Sequence, residues 1–255
     1  MIGSLFGSDL NLSGNHPLSR ENMLRSVAAT AFVSLFLAAP AQAQDDPVVV
    51  ELFTSQGCSS CPPADRIMHE LAKRDDVIGL ALHVDYWDYI GWKDEYANPD
   101  HTYRQRAYAR EGGRTMIYTP QMVVNGQQDV VGAKSIELNR LIDAHLTAPP
   151  EAEVSATRTA NEVSMNVVPI ELPDDETYDV RIVQYSPMRR TSIRRGELAG
   201  HDLDYANVVE NWQIAGRWDG QTPQSFTATL SSELPAVVLI QRSGHGPIVA
   251  AARVK

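Results

Sequence analysis

Between residues 48 and 147 the apolar positions fall into short continuous runs separated by helical stripes. Val48-Val49-Val50-Glu51-Leu52-Phe53 is nearly all apolar, the pattern of a strand covered on both faces. Ala64, Ile67, Met68, Leu71 and Ala72 recur three and four apart, which is one face of a helix. Its polar side carries Arg66, His69, Glu70, Lys73 and Arg74. Val77 to Val84 predicts a second strand. Asn98-Pro99 predicts the start of a helix, with Asn as cap and Pro at the first position, running to about Glu111 and stopping at Gly112-Gly113. Asn125-Gly126, between Gln121–Val124 and Gln128–Val131, signals a hairpin. Ser135 is expected to cap a last helix with the face Leu138, Leu141, Ile142, His145 and Leu146, and Thr147 to Pro150 reads as a linker.

From Glu151 the pattern changes. Val163 to Ile170, Tyr178 to Tyr185, Ala236 to Gln241 and Ile248 to Val254 are short, apolar or alternating runs. Turn signals at Pro173-Asp174-Asp175, Asp219-Gly220 and Ser243-Gly244 separate them, and no long helical period occurs. The expectation is an α/β domain over 44–148 followed by an all-β sandwich domain over 151–255.

The first 43 residues stand apart. Met23-Leu24-Arg25, the apolar run Val27 to Ala39 and the small residues of Ala41-Gln42-Ala43 form a signal peptide over 23–43, with cleavage after Ala43. The run is too short to span a bilayer as a helix, so no stable membrane span is expected after cleavage. Residues 1–22 are expected to be an upstream extension that is not translated, with the start at Met23. Export places the protein in the periplasm or outside the cell, where disulfides persist. The net charge of -10 over 255 residues leaves no basic surface for nucleic acid.

Candidate chemistry centres on Gly57-Cys58-Ser59-Ser60-Cys61-Pro62-Pro63, which holds both cysteines of the chain. A Cys-x-x-Cys at a strand-to-helix turn suits a small disulfide ring that exchanges with another thiol. Cys58 is expected to be the more exposed, attacking thiolate, favoured by the N–H groups of the helix start, and Cys61 the resolving thiol. Pro62 and Pro63 bear on that benefit, because neither has an N–H.

The element order resembles the thioredoxin fold through residues 47–147. That resemblance implies a cis bond at Thr119-Pro120 facing the cysteines, with the backbone at Thr119 pairing with a bound peptide. Two features differ from the pattern: Leu52 stands where a buried carboxylate is common, with Glu51 one residue off, and Gly57 replaces the tryptophan before the first cysteine. The segments Glu51 to Asp65, His83 to Tyr89 and Tyr118 to Gly126 are similar to DUF1223, a family of secreted bacterial proteins, which implies a thioredoxin-like fold and assigns no reaction.

These residues predict an exported thiol–disulfide oxidoreductase without cofactor or resident metal, acting on a protein or small-molecule thiol. One alternative is a Cu(I) or zinc carrier using the same thiols with His83. Another is a binding module whose disulfide is structural. The aromatic stretch Tyr86 to Tyr96 reads either as a packed lid or as a rim on which Trp87 and Trp92 grip a partner. Asp85, Asp88, Asp94 and Glu95 read as solvated loop charges. Arg189, Arg190, Arg194 and Arg195 read as a solvated hairpin tip or an anion site.

Overall fold

The computed structural model describes residues 46–255, which belong to one unit spanning Gln44–Lys255. The expected extension and signal segment lie outside the described residues. The elements run β1 (Val48–Thr54), α1 (Pro62–Leu71), β2 (Val77–His83), α2 (Pro99–Glu111), β3 (Gln121–Val124), β4 (Gln128–Val131) and α3 (Ser135–Leu146). Then follow β5 (Ala152–Thr159), β6 (Glu162–Pro169), β7 (Tyr178–Ser192), β8 (Asp202–Trp218), β9 (Gln224–Thr229), β10 (Ala236–Arg242) and β11 (Ile248–Arg253). The described chain is mostly β. It has an eight-stranded mixed sheet, β11-β10-β7-β8-β2-β1-β3-β4, and a three-stranded sheet, β5-β6-β9.

β1 and β2 are parallel, with Val48 opposite Val77 and Thr54 opposite His83, because α1 supplies the crossover between them. Both strands are buried along their whole length, as their continuous apolar runs require. Alternate residues of β1 separate the layers. Val48, Val50 and Leu52 pack with α1 and α3, whereas Val49 and Phe53 pack with Tyr108 of α2. The β3–β4 turn places Asn125 and Gly126 at φ 44° and 66°, the left-handed pair that an Asn-Gly hairpin accommodates. Asn98 caps α2 by accepting from the Asp100 amide at 3.0 Å. Ser135 is the first residue of α3 rather than its cap, a position taken by Lys134.

The second half does not form a sandwich of its own. β7, β8, β10 and β11 continue the sheet of the first half, and β8 meets β2 in parallel, with Ala81 opposite Val208. Asn207, at φ 50°, fastens the joint by donating its side-chain N–H to the Gly79 carbonyl at 2.9 Å. The physical reason is the edge of β2: a fully buried apolar strand cannot leave its backbone groups unpaired. Two sheets do face each other further out. The small sheet packs Val163, Met165 and Val167 against a layer that includes Val180, Ile182, Val238 and Ile240 of the large one.

Glu51, on the α2 face of β1, is buried against a buried Arg104. The guanidinium donates Nε to Oε1 at 2.6 Å and Nη2 to Oε2 at 3.0 Å, and its Nη1 reaches Gln241 Oε1 of β10 at 3.0 Å. Tyr108 donates its hydroxyl to the same carboxylate. A pair this deep contributes little net stability while intact, but losing one member strands the other charge. Glu51→Ala is therefore expected to cost about 3–5 kcal/mol in a denaturant titration; a loss under 1 kcal/mol, the ordinary surface-pair range, would show that Arg104 is not held by this carboxylate.

Candidate functional site

The chain leaves β1 at Thr54 and turns through Ser55, Gln56 and Gly57 to Cys58. The turn is closed by Cys58 N donating to Ser55 O at 3.1 Å and Cys61 N to Cys58 O at 3.1 Å. Cys58 and Cys61 are joined as a disulfide. Cys61 is the N-cap of α1 and makes no side-chain cap. The first two helical residues are Pro62 and Pro63, and the next two amides, Ala64 and Asp65, both bond Cys61 O, at 2.8 and 3.1 Å. None of the first four positions of α1 therefore has an N–H left over for a thiolate at Cys58. The helix-start assistance expected for Cys58 is absent from this arrangement, and the two prolines are the cause.

Cys58 is also not the exposed residue the sequence suggested. Cys58 and Cys61 are 1% and 0% exposed, and the exposed tip of the turn is Ser59 and Ser60. The Cys58 sulfur lies 3.4 Å from the Ser60 hydroxyl. The aromatic loop closes over this region. A Cβ at Gly57 would lie 3.0 Å from the Trp87 Cβ and 3.2 Å from its carbonyl oxygen, so residue 57 is glycine because Trp87 sits on its backbone.

Thr119-Pro120 is cis, and Trp87 donates its indole N–H to the Thr119 hydroxyl at 2.7 Å. Trp87 thus bridges the cysteine turn and the proline turn. Trp92 donates its indole N–H to Gln56 Oε1 at 2.7 Å, and Gln56 in turn reaches Thr191 Oγ1 of β7 at 3.3 Å. The far end of the β7–β8 hairpin therefore packs beside the cysteine turn. Both tryptophans are half-buried and fixed by internal acceptors.

Near the disulfide lies a polar set whose grouping the sequence does not show. Leu52 faces α1, so the carboxylate on that face does not come from β1. It is Asp65, buried on α1, whose Oδ1 accepts from the Thr54 hydroxyl at 2.7 Å. Burial pushes its carboxyl up to about 6, against the pull of His83 and the Thr54 hydroxyl. His83 and Asp94 form a second buried pair, Nδ1 to Oδ2 at 2.7 Å, and the same oxygen accepts the Gln56 amide at 2.8 Å. Burial alone would raise the Asp94 carboxyl, but His83 and the amides of Gln56 and Tyr96 hold it below the ordinary range. The Tyr205 ring stands edge-on to His83 at 4.8 Å, and both His83 Nε2 and the Tyr205 hydroxyl are buried without a partner.

Asp94 is therefore no solvated loop charge. Asp85 accepts from Thr102, Asp88 from the Asp94 amide, and Glu95 from Thr191, so all four carboxylates bond within the protein. Arg189 and Arg190 pair with Glu210 and Asp204, and Arg194 and Arg195 are exposed. Among the described residues, no group of three or more His, Cys, Asp or Glu is placed to hold a metal ion, and no helix is long and apolar enough to cross a membrane.

A strand–disulfide turn–helix unit is thus linked through Trp87 to a cis-proline turn within a large mixed sheet. Residues 49–241 match the family model described as "Protein of unknown function (DUF1223)", and the chain belongs to that family. It is similar to the crystal structure of protein AGR_C_4864 from Agrobacterium tumefaciens, at 32% identity and TM-score 0.71, over 83% of this chain and 95% of that one. It also shares a fold with HBP35 of Porphyromonas gingivalis, at 15% identity and TM-score 0.56, over 83% of this chain and 75% of that one. No curated protein sequence matches.

Two outcomes follow from this geometry. Trp87→Ala removes the bond to Thr119 and the cover on Gly57, so reduction of the disulfide by dithiothreitol is expected to speed up about tenfold, followed by thiol alkylation; an unchanged rate would show that Trp87 does not gate the sulfurs. The Asp65 carboxyl is harder to ionise folded than unfolded, so the folded state binds the extra proton between about pH 4 and 6. Its contribution to stability falls as pH rises through that window, by an amount of order 3 kcal/mol. Asp65→Asn is expected to flatten that part of the decline in melting temperature, measured beside the wild type.

Proposed function

We propose that this is an exported thiol–disulfide oxidoreductase with a thioredoxin-like site, acting on a protein or small-molecule thiol. The observation that carries the reading is the Cys58–Cys61 ring at the β1–α1 turn, linked through Trp87 to the turn that holds the cis Thr119-Pro120 bond. The order β1, α1, β2, α2, β3, β4, α3 supports the thioredoxin-like description, and the signal-like segment at 23–43 supports export to the periplasm or beyond.

The chemistry is a pair of displacements. A partner thiolate attacks the Cys58 sulfur, a mixed disulfide forms, and the Cys58–Cys61 bond breaks with the electron pair leaving on Cys61, which takes up a proton. A second partner thiolate then attacks the partner sulfur of the mixed disulfide, and Cys58 leaves as a thiolate. The partner dithiol is oxidised by two electrons and the protein is reduced by two. The reverse sequence oxidises the protein. The buried sulfurs support a site that reacts only after the aromatic loop yields.

The buried setting also favours a second reading, a structural disulfide in a binding module. Equilibration in glutathione buffers, with thiols counted by alkylation and mass, separates the two. Exchange predicts a reversible two-electron couple between roughly −120 and −270 mV, loss of turnover in Cys58→Ser, and a trapped mixed disulfide in Cys61→Ser. A potential below about −300 mV with no exchange overturns the enzyme reading in favour of the structural one. Stoichiometric copper or zinc on the reduced protein would overturn it in favour of a carrier.

A further inference from the structure

On the α2 face, away from the disulfide, lies a cavity of about 350 Å³ between α2, the middle of β7 and β8, and the turn after β10. That volume is within the range of small-molecule sites. Its lining includes Arg104, Arg181, Trp212, Tyr103, His245 and Ile214.

Two of these residues each keep a buried N–H without a partner: Arg181 Nε and Trp212 Nε1. Both are donors, so the missing partner is an acceptor. Arg104 is matched by Glu51, but Asp179 alone serves both Arg181, at 2.7 Å, and Arg217, at 3.4 Å. Arg217 is exposed and outside the lining, so beneath the cavity Arg104 and Arg181 each keep one carboxylate partner. Glu210 at the mouth is already bound to Arg189 and Ser186, and Asp100 is exposed on the first turn of α2.

His245 adds no further positive charge, since burial and the two neighbouring arginines push its imidazole down to about 4. The walls are aromatic. The Arg104 guanidinium stacks on the Trp212 ring at 4.1 Å, and His245 stands edge-on to Tyr103 at 5.9 Å. His245 also holds φ 70°, a left-handed conformation that a non-glycine residue adopts at a cost. Tyr103 and Ile214 expose apolar surface at the rim.

We propose that this cavity binds a small aromatic carboxylate, its acid group held by Arg181 Nε and Trp212 Nε1 and its ring among Trp212, Tyr103 and His245. The carboxylate supplies acceptors for both orphaned donors, and the flat walls suit a ring better than a bare anion. This site is independent of the redox reading.

The test uses the purified protein with benzoate as probe, followed by calorimetry and by ring-proton NMR. Saturable 1:1 binding is expected. It should weaken at least about tenfold in Trp212→Phe, which keeps the ring and removes the N–H, and in Arg181→Lys, which keeps the charge for Asp179. It should be unchanged in the Cys58→Ser protein. If Arg181→Lys fails to fold by circular dichroism, Trp212→Phe decides the matter alone. No saturable binding, unaltered affinity in Trp212→Phe, or equal affinity for benzamide or for inorganic sulfate would overturn the proposal.

Discussion

The edge of β2 is the constraint from which the rest of the architecture follows. β2 is seven residues long and buried throughout, with β1 on one side. Its other side must be hydrogen-bonded by something, because neither water nor a helix can satisfy a buried ladder. β8 meets this edge at its middle, where Ala81 pairs with Val208 and Asn207 donates to the Gly79 carbonyl, and everything that comes with β8 is thereby joined to the first half. β7 pairs along most of its length, β10 pairs β7, and β11 pairs β10. The small sheet then covers the face left bare by these added strands. The same joint carries the β7–β8 hairpin past α1, where His69 Nε2 meets the Asp204 carbonyl at 2.9 Å. The late half of the chain is in this way a wall of the disulfide site.

Opposite faces of β1 hold two polar sets of different character. On the α2 face, Glu51, Arg104, Tyr108 and Gln241 satisfy one another and tie α2 to β10, across the sheet from β1. On the disulfide face, Asp65, His83, Asp94 and Tyr205 are packed together with two polar atoms left over. A fully satisfied set rigidifies, whereas one with orphaned atoms stores a penalty that a change of state can relieve. The α2 side is not free of such atoms, since Arg181 Nε and Trp212 Nε1 lie beside Arg104.

Much of this was legible in the sequence, and the gaps have specific causes. The elements through residue 146 follow from clean periodicities, and the cis bond follows from the Thr119-Pro120 match. β8 escaped notice because it carries Asp202, Asp204, Asn207, Glu210 and Asn211, so no apolar run marks it. Its face toward α2 and its bulges against β7 break strict alternation. Without β8 the second half reads as a free sandwich. Asp65 was visible in principle: it lies on the stripe of Cys61, Ala64, Met68 and Leu71, where a carboxylate has no business unless it is bonded. Asp94 was not, because its partner His83 lies at the end of another strand and no local pattern connects them.

Burial of the disulfide and its chemical use are opposed, and the magnitudes say how far. Three side-chain bonds from the first part of the aromatic loop, from Trp87 to Thr119, Trp92 to Gln56 and Tyr86 to Gln105, tie it down, and Asp94, Glu95 and Tyr96 add others to His83, Gln56 and Thr191. At a net ~1 kcal/mol each, the first three alone hold the loop closed by ~3 kcal/mol, and the others and packing add to that. An opening of that size leaves the sulfurs accessible less than about 1% of the time, and an exchange reaction with a free small thiol is slowed in proportion. A partner that supplies its own contacts to Thr119 and Gln56 as it displaces the indoles recovers most of that cost. On the exchange reading proposed above, the same bonds that slow the ring's reaction with casual thiols select for a partner shaped to replace them, so burial of the disulfide does not by itself oppose that reading.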